Sequence, residues 1–224
     1  DYIVPADADY FHCTSNNTIF GTQIKEFPSV DMPIVCDMSS DIFSRVLDFS
    51  KFDIIYAGAQ KNMGPAGTTL VIVKEAILGK SGRTIPGILD YDKHIKAESM
   101  YNTPAVFPVY ASLLTLQWLK KLGGVAAVEK LNNAKAELLY NEIDRNPLFK
   151  GAAAVEDRST MNATFLLNDA AHTETFDAMW KAAGISGIPG HRSVGGYRAS
   201  MYNALPIESV QVLVDVMQAL EKAI

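Results

Sequence analysis

Cysteine is scarce in this chain of 224 residues: only Cys13 and Cys36 occur, in no CxxC pair and beside no histidine cluster. That excludes a disulfide framework and a Cys/His zinc site, and it fits reduced thiols in a cytoplasmic protein. Positive charge is in deficit too, with 20 lysines and arginines against 25 aspartates and glutamates and a net charge of -5. General binders of nucleic acid or anionic membranes need the opposite balance, so any anion must be held by a local cluster. No apolar run reaches the roughly 18 residues of a membrane span, and no signal peptide, low-complexity tract or internal repeat is visible. What is present is a hydrophobic content of 48%, enough for a proper core, over a length that suits one large domain with a smaller appendage.

The first half alternates short β-rich runs with loops or helix. "DYFHCT" (9–14), "MPIVCD" (32–37), "FDIIYAG" (52–58) and "TTLVIVK" (68–74) are expected strands, bounded by Asp, Ser, Gly and Pro. Between the second and third, Ser39 or Ser40 can cap a helix with apolar positions Ile42, Phe43, Val46 and Leu47, which makes a strand–crossover–strand unit of a parallel sheet. The second half is more helical. Residues 106–124 form a long apolar helix stopped by Lys120, Lys121 and a Gly pair, and an amphipathic helix follows up to Pro147. Then come a strand (162–168), a helix (173–184), a Gly-rich segment and a final helix with Pro206 in its first turn. The expected division is residues 1–122 and 123–224, the second being a small α+β domain.

Asp37 ends "PIVCD" and Lys61 follows "DIIYAGAQ", so an acid and a base project from the same rim of neighbouring parallel strands, where open α/β sheets bind ligands. A lysine that links to pyridoxal phosphate needs a carboxylate nearby to keep the pyridine nitrogen protonated. At contact distance and an effective dielectric near 20, that ion pair is worth roughly 4 kcal/mol. The plain alternatives are a helix-capping aspartate and a solvated turn lysine. A Walker A loop is excluded, because "GAQKNMGPAG" lacks the Gly-Lys-Ser/Thr order. In "GHRSVGGYRAS", His191, Arg192 and Arg198 make an anion site against the acidic background, or else the arms of a hairpin that turns at Gly195–Gly196.

The stretch "DMSSDIFSRVLDFSKFDIIYAGAQKNMGPAG" closely resembles the phosphoserine aminotransferase family, within the class V pyridoxal-phosphate-dependent aminotransferases. The likeness continues through "HCTSNNTIFGTQ", "YNTPAVFPVYASLLTLQWLKKLGG" and "GHRSVGGYRASMYNA", in the family's order and over nearly the whole chain. It implies an α/β fold of type I, a mainly parallel sheet from part of the large domain followed by the small domain. It also implies pyridoxal 5'-phosphate as cofactor, with Lys61 linked to it and acting as general base, Asp37 on its ring nitrogen, Thr18 and Gln60 as contacts, and no metal. Asn102 and Thr103 match a pair that reaches the cofactor phosphate of the other subunit, which implies a homodimer with shared sites. Arg198 would grip the substrate α-carboxylate; His191, best when protonated, and Arg192 would hold a substrate phosphate. The implied reaction moves an amino group from glutamate to 3-phosphohydroxypyruvate in serine biosynthesis, and in some bacteria serves the pyridoxine route as well.

The chain departs from the family pattern in lacking an N-terminal part, including the Gly-rich phosphate cradle, the aromatic residue stacked on the ring, and an arginine and a histidine of the substrate site. A sheet without those neighbours is expected to expose edges and apolar surface. Two readings therefore stand at this point: an aminotransferase, whole or reconstituted, or a cofactor-free dimerisation module. A further one is another class V aminotransferase.

Overall fold

The computed structural model describes residues 3–80 and 82–224. Four strands, β1 (Phe11–Thr14), β4 (Ile34–Asp37), β5 (Ile54–Gly58) and β6 (Thr69–Val73), form one sheet in the order β1-β4-β5-β6. The first three run parallel and β6 returns antiparallel to β5. A small hairpin, β2 (Asn16–Asn17) with β3 (Thr22–Gln23), springs from the carboxyl end of β1. Cys36, Met38, Ile42, Ile55 and Ala57 close the core beneath this sheet, and Cys13 lies directly opposite Cys36 in the strand register.

The segment after β4 corrects the sequence reading: residues 39–45 form a turn rather than a helix, and 46–48 carry no regular structure. Phe43 takes φ 57, a left-handed conformation that a helix cannot continue through. The Ser44 hydroxyl donates to the Asp41 carbonyl at 2.7 Å, a local bond that competes with the helical pattern. The β4–β5 connection is therefore a loop, ending in a 3₁₀ turn at Phe49–Lys51 that Asp48 caps.

After α1 (Tyr91–Lys96) comes α2 (Val106–Lys121), whose apolar residues run all the way round. Much of α2 faces outward, with Val106 and Phe107 71% and 72% exposed. Gly123 (φ 112) and Gly124 (φ 78) turn the chain into α3 (Val125–Arg145). A second sheet, β7 (Phe149–Gly151), β8 (Asn162–Leu167) and β9 (Tyr197–Ser200), is antiparallel in the order β7-β8-β9. It packs with α3, α4 (Thr173–Ala182) and α5 (Ile207–Ala223) around a separate core. Rings from Phe149, Phe165, Phe176 and Tyr197 fill its centre, with Phe176 edge-on to Tyr197 at 4.9 Å. Pro206 stands one place before α5, as its N-cap. Strand β9 falls inside the Gly-rich segment that sequence patterning leaves without an element. No helix among the described residues is long and apolar enough to cross a membrane.

Candidate active site

Because β1, β4 and β5 are parallel, their carboxyl ends share one rim, and each delivers a chemistry-bearing turn to it. The β2–β3 hairpin carries Thr18, Asp37 is the last residue of β4, and Gln60 and Lys61 lie in the turn after β5. Asp37 sits between Thr14 and Tyr56 in the register, and its Oδ1 accepts the Ser39 amide at 2.8 Å. Burial raises the Tyr56 phenol, the Asp37 charge adds to the effect, and His12 Nε2 lies 3.0 Å from the Tyr56 hydroxyl. The lysine turn is closed by the Ala59 carbonyl, which accepts from Met63 at 3.0 Å and Gly64 at 2.8 Å.

Lys61 is half-buried, and among the described residues its amine makes no hydrogen bond or ion pair. Loss of water lowers it below the ordinary lysine value; Asp37 opposes this and Arg198 adds to it. Arg198 comes from the second sheet, on β9 opposite Thr164. Its guanidinium donates to the Thr18 carbonyl at 3.2 Å, while its Nε is buried without a partner among the described residues. An arginine with an unsatisfied buried N–H, near enough to a lysine to act on its charge, can cradle an anionic ligand.

Lys61, Asp37, Thr18 and Arg198 are thus brought together. Gln60 is exposed and folds back over Gly58, where an added Cβ would meet its Oε1 at 2.6 Å. The other expected residues lie elsewhere. Asn102 and Thr103 are exposed, and Asn102 Nδ2 donates to the Thr103 carbonyl at 3.1 Å. His191 and Arg192 lie at the tip of the loop before β9, where His191 Nδ1 bonds the Ser193 hydroxyl at 2.7 Å. That loop is a hairpin, but it turns at His191–Gly195 rather than at the expected Gly195–Gly196, which puts Arg192 in the turn instead of on an arm: the His191 carbonyl accepts from Val194 and Gly195 at 2.8 Å, and Gly190 N–H donates to the Gly196 carbonyl at 2.7 Å. The hairpin and the arginine site coexist, because the hairpin's returning arm is the strand that carries Arg198.

Sequence reasoning missed a buried polar seam beside the site. Asp41 is fully buried and accepts from the Ser15 hydroxyl, from Gln23 at 3.2 Å and from Arg45 at 3.2 Å; burial pushes its carboxyl up. Asn16 Nδ2 donates to Ser40 at 2.9 Å and to Asn162 at 2.8 Å, while its Oδ1 accepts from the Ser159 hydroxyl. Gly21 (φ 71) rests on β8, so close that a Cβ would stand 2.5 Å from Thr164 Oγ1. The hairpin bearing Thr18 is therefore clamped between the two cores. The one available signal was the placement of Asn and Ser inside apolar segments, and it reads equally as turn chemistry.

A half-buried amine of lowered basicity, a carboxylate on the adjoining strand and an orphaned guanidinium form the donor set that an aldehyde-bearing pyridine with anionic substituents requires. The chain belongs to the aminotransferase class-V family, whose model matches residues 2–213. It is 83% identical over 223 residues to the phosphoserine aminotransferase of Flavobacterium johnsoniae, covering all of this chain and 63% of that one. Among solved structures, the phosphoserine aminotransferase from Bacillus circulans subsp. alkalophilus superposes with a TM-score of 0.94 at 43% identity, over 98% of this chain and 62% of that one. The PLP-bound enzyme of Trichomonas vaginalis gives 0.89 at 37% identity, over 97% and 62%. The chain thus spans less than two thirds of the length of these relatives.

Proposed function

We propose that this chain carries the lysine half of a phosphoserine aminotransferase site, which moves an amino group reversibly from glutamate to 3-phosphohydroxypyruvate and gives phosphoserine and 2-oxoglutarate. The observation that carries the reading is Lys61, half-buried and weakened as a cation, flanked by Asp37 and Arg198 at the strand-end rim. Lys61 and Asp37 would hold pyridoxal 5'-phosphate, with Thr18 and Gln60 beside them. When bound, this cofactor supplies the electron sink that makes a substrate Cα–H acidic. Lys61 Nζ removes that proton and returns it, and its lowered basicity leaves more of it neutral for the task. Arg198 orients the substrate through its carboxylate, using the N–H that has no partner among the described residues.

The exposure of Arg192 beside His191 at the loop tip, and of Asn102 and Thr103, supports a reading in which these residues serve the site of a second copy in a homodimer with shared sites. The outward apolar face of α2 supports the same assembly. The two separate cores support a division of the chain at Gly123–Gly124. Free thiols at Cys13 and Cys36 suit a reducing compartment.

The test is the visible spectrum of the folded chain after pyridoxal phosphate is added. A protein-bound absorption band that disappears in Lys61→Ala is expected, as is retention of the cofactor on the peptide containing Lys61 after borohydride treatment. A flat spectrum from demonstrably folded chain sinks the catalytic reading and favours a cofactor-free dimerisation module.

A further inference from the structure

Asn62 and Asn203 have no role in the site as described so far, yet Asn62 adjoins Lys61 and Asn203 lies shortly after the strand that holds Arg198. Each is only 6% exposed. The Asn203 backbone N–H donates to Asn62 Oδ1 at 3.0 Å, and Asn62 Nδ2 donates to the Ile42 carbonyl at 3.2 Å. From the other side, Asn203 Nδ2 donates to the Phe43 carbonyl at 3.0 Å and its Oδ1 accepts from Asn132 at 2.9 Å. Asn132, on α3 and fully buried, also reaches the Ser44 carbonyl at 3.0 Å. One turn further along α3, Lys135 donates to the carbonyls of Met201 at 3.0 Å and Tyr202 at 2.8 Å. The segment leaving β9 is therefore held by the turn after β5, by the tight turn after β4 and by α3 at once.

We propose that Asn62 and Asn203 are positioning residues: their mutual hydrogen bond sets the separation between the Lys61 amine and the Arg198 guanidinium without either asparagine touching substrate. The proposal rests on the roles given to Lys61 and Arg198 above. Its physical basis is burial. An amide left unpaired in a dry site is costly, so the turn and the strand end cannot drift apart without stranding several polar groups together. A substrate that is gripped by its carboxylate and deprotonated at the adjacent carbon tolerates little error in that separation.

Two measurements test it. In chain loaded with pyridoxal phosphate, glutamate binding is followed by the change in cofactor absorbance for wild type, Asn62→Ala, Arg198→Ala and the double variant. The band itself is expected in all four. Asn62→Ala should weaken glutamate by about tenfold, the scale of one lost buried hydrogen bond. The double variant should be no weaker than Arg198→Ala alone, because Asn62 acts through that arginine. Additive losses overturn the proposal, since a general structural defect gives additivity.

The second measurement needs neither cofactor nor variant, and it decides the matter if Asn62→Ala does not fold. In native-state hydrogen exchange of the wild-type chain, the amides of Asn203, Met63 and Gly64 should open together with one free energy. Independent opening of the lysine turn and the 201–203 segment overturns the proposal. Joint opening without any cofactor band would instead sink the reading of Lys61 while upholding the tie between the two asparagines.

Discussion

Lys135 puts an ammonium group where its partners among the described residues are all carbonyl oxygens, and this sets a pH dependence. The residue is 1% exposed, and its two partners are the carbonyls of Met201 and Tyr202. Burial alone lowers it from 10.5 to about 8. Below about pH 8 it is protonated in both the folded and the unfolded chain, so the penalty for burying the charge is fully present. Between about 8 and 10.5 the unfolded chain holds more of the proton, so stability rises with pH; above 10.5 the penalty is gone. At 1.36 kcal/mol per pH unit, the gain across that window is about 3 kcal/mol. Tyr140 and Tyr197 pull the other way above about pH 10, because burial raises both phenols and the unfolded chain ionises first. The assay is therefore a difference. Urea unfolding of wild type and Lys135→Met, read by circular dichroism at intervals from pH 7 to 10.5, cancels the tyrosines. Wild type should gain relative to the variant as pH rises. A difference that stays flat within about 0.5 kcal/mol would refute a buried, weakly basic Lys135.

Three further outcomes are expected. Gly21→Ala should lose about 2–4 kcal/mol, since φ 71 disfavours any Cβ and the new atom would stand 2.7 Å from the Asn162 carbonyl; an unchanged urea midpoint would contradict the docking of the hairpin on β8. Phe165→Ala should cost about 3–5 kcal/mol, because the ring is fully buried against Tyr197 at 5.4 Å and Phe149 at 5.9 Å; thermal unfolding with an unshifted midpoint would count against this core. Arg192→Ala should weaken the phosphorylated substrate at least tenfold while sparing glutamate, and Arg198→Ala should weaken both. Steady-state kinetics showing equal losses for the two substrates in Arg192→Ala would remove its assignment.

The strands were readable because Val, Ile and Tyr cluster between Asp, Gly and Pro, and local pattern decides such runs: β4, β5 and β6 fall within the expected stretches. Helices α2, α3 and α4 were readable through their stop signals, as with Gly184 (φ 77) just beyond α4. The helix expected after Ser39 failed because its apolar spacing arises from a turn that tucks Ile42 inward while Asp41 binds Ser15, Gln23 and Arg45. Strand β9 was hidden by the glycines that precede it, and only its pairing with β8 makes it a strand. Lys61 and Asp37 were visible as a pair because each closes a recognisable run. Asn16, Asn62, Asn132, Asn162 and Asn203 were not, since an asparagine that seals a buried seam looks the same in sequence as one that turns a loop.

The clamp on the β2–β3 hairpin also bears on how the protein is made. Asn16 finds two of its partners in Ser159 and Asn162, 143 and 146 positions downstream. At the roughly 5–20 residues per second of ribosomal synthesis, the threonine-bearing hairpin waits on the order of ten seconds before those partners exist. During that interval Asn16 lacks the two partners that hold the hairpin against β8. Ribosome-bound chains stalled before Ser159 should therefore be more open to protease at Thr18 than chains released whole.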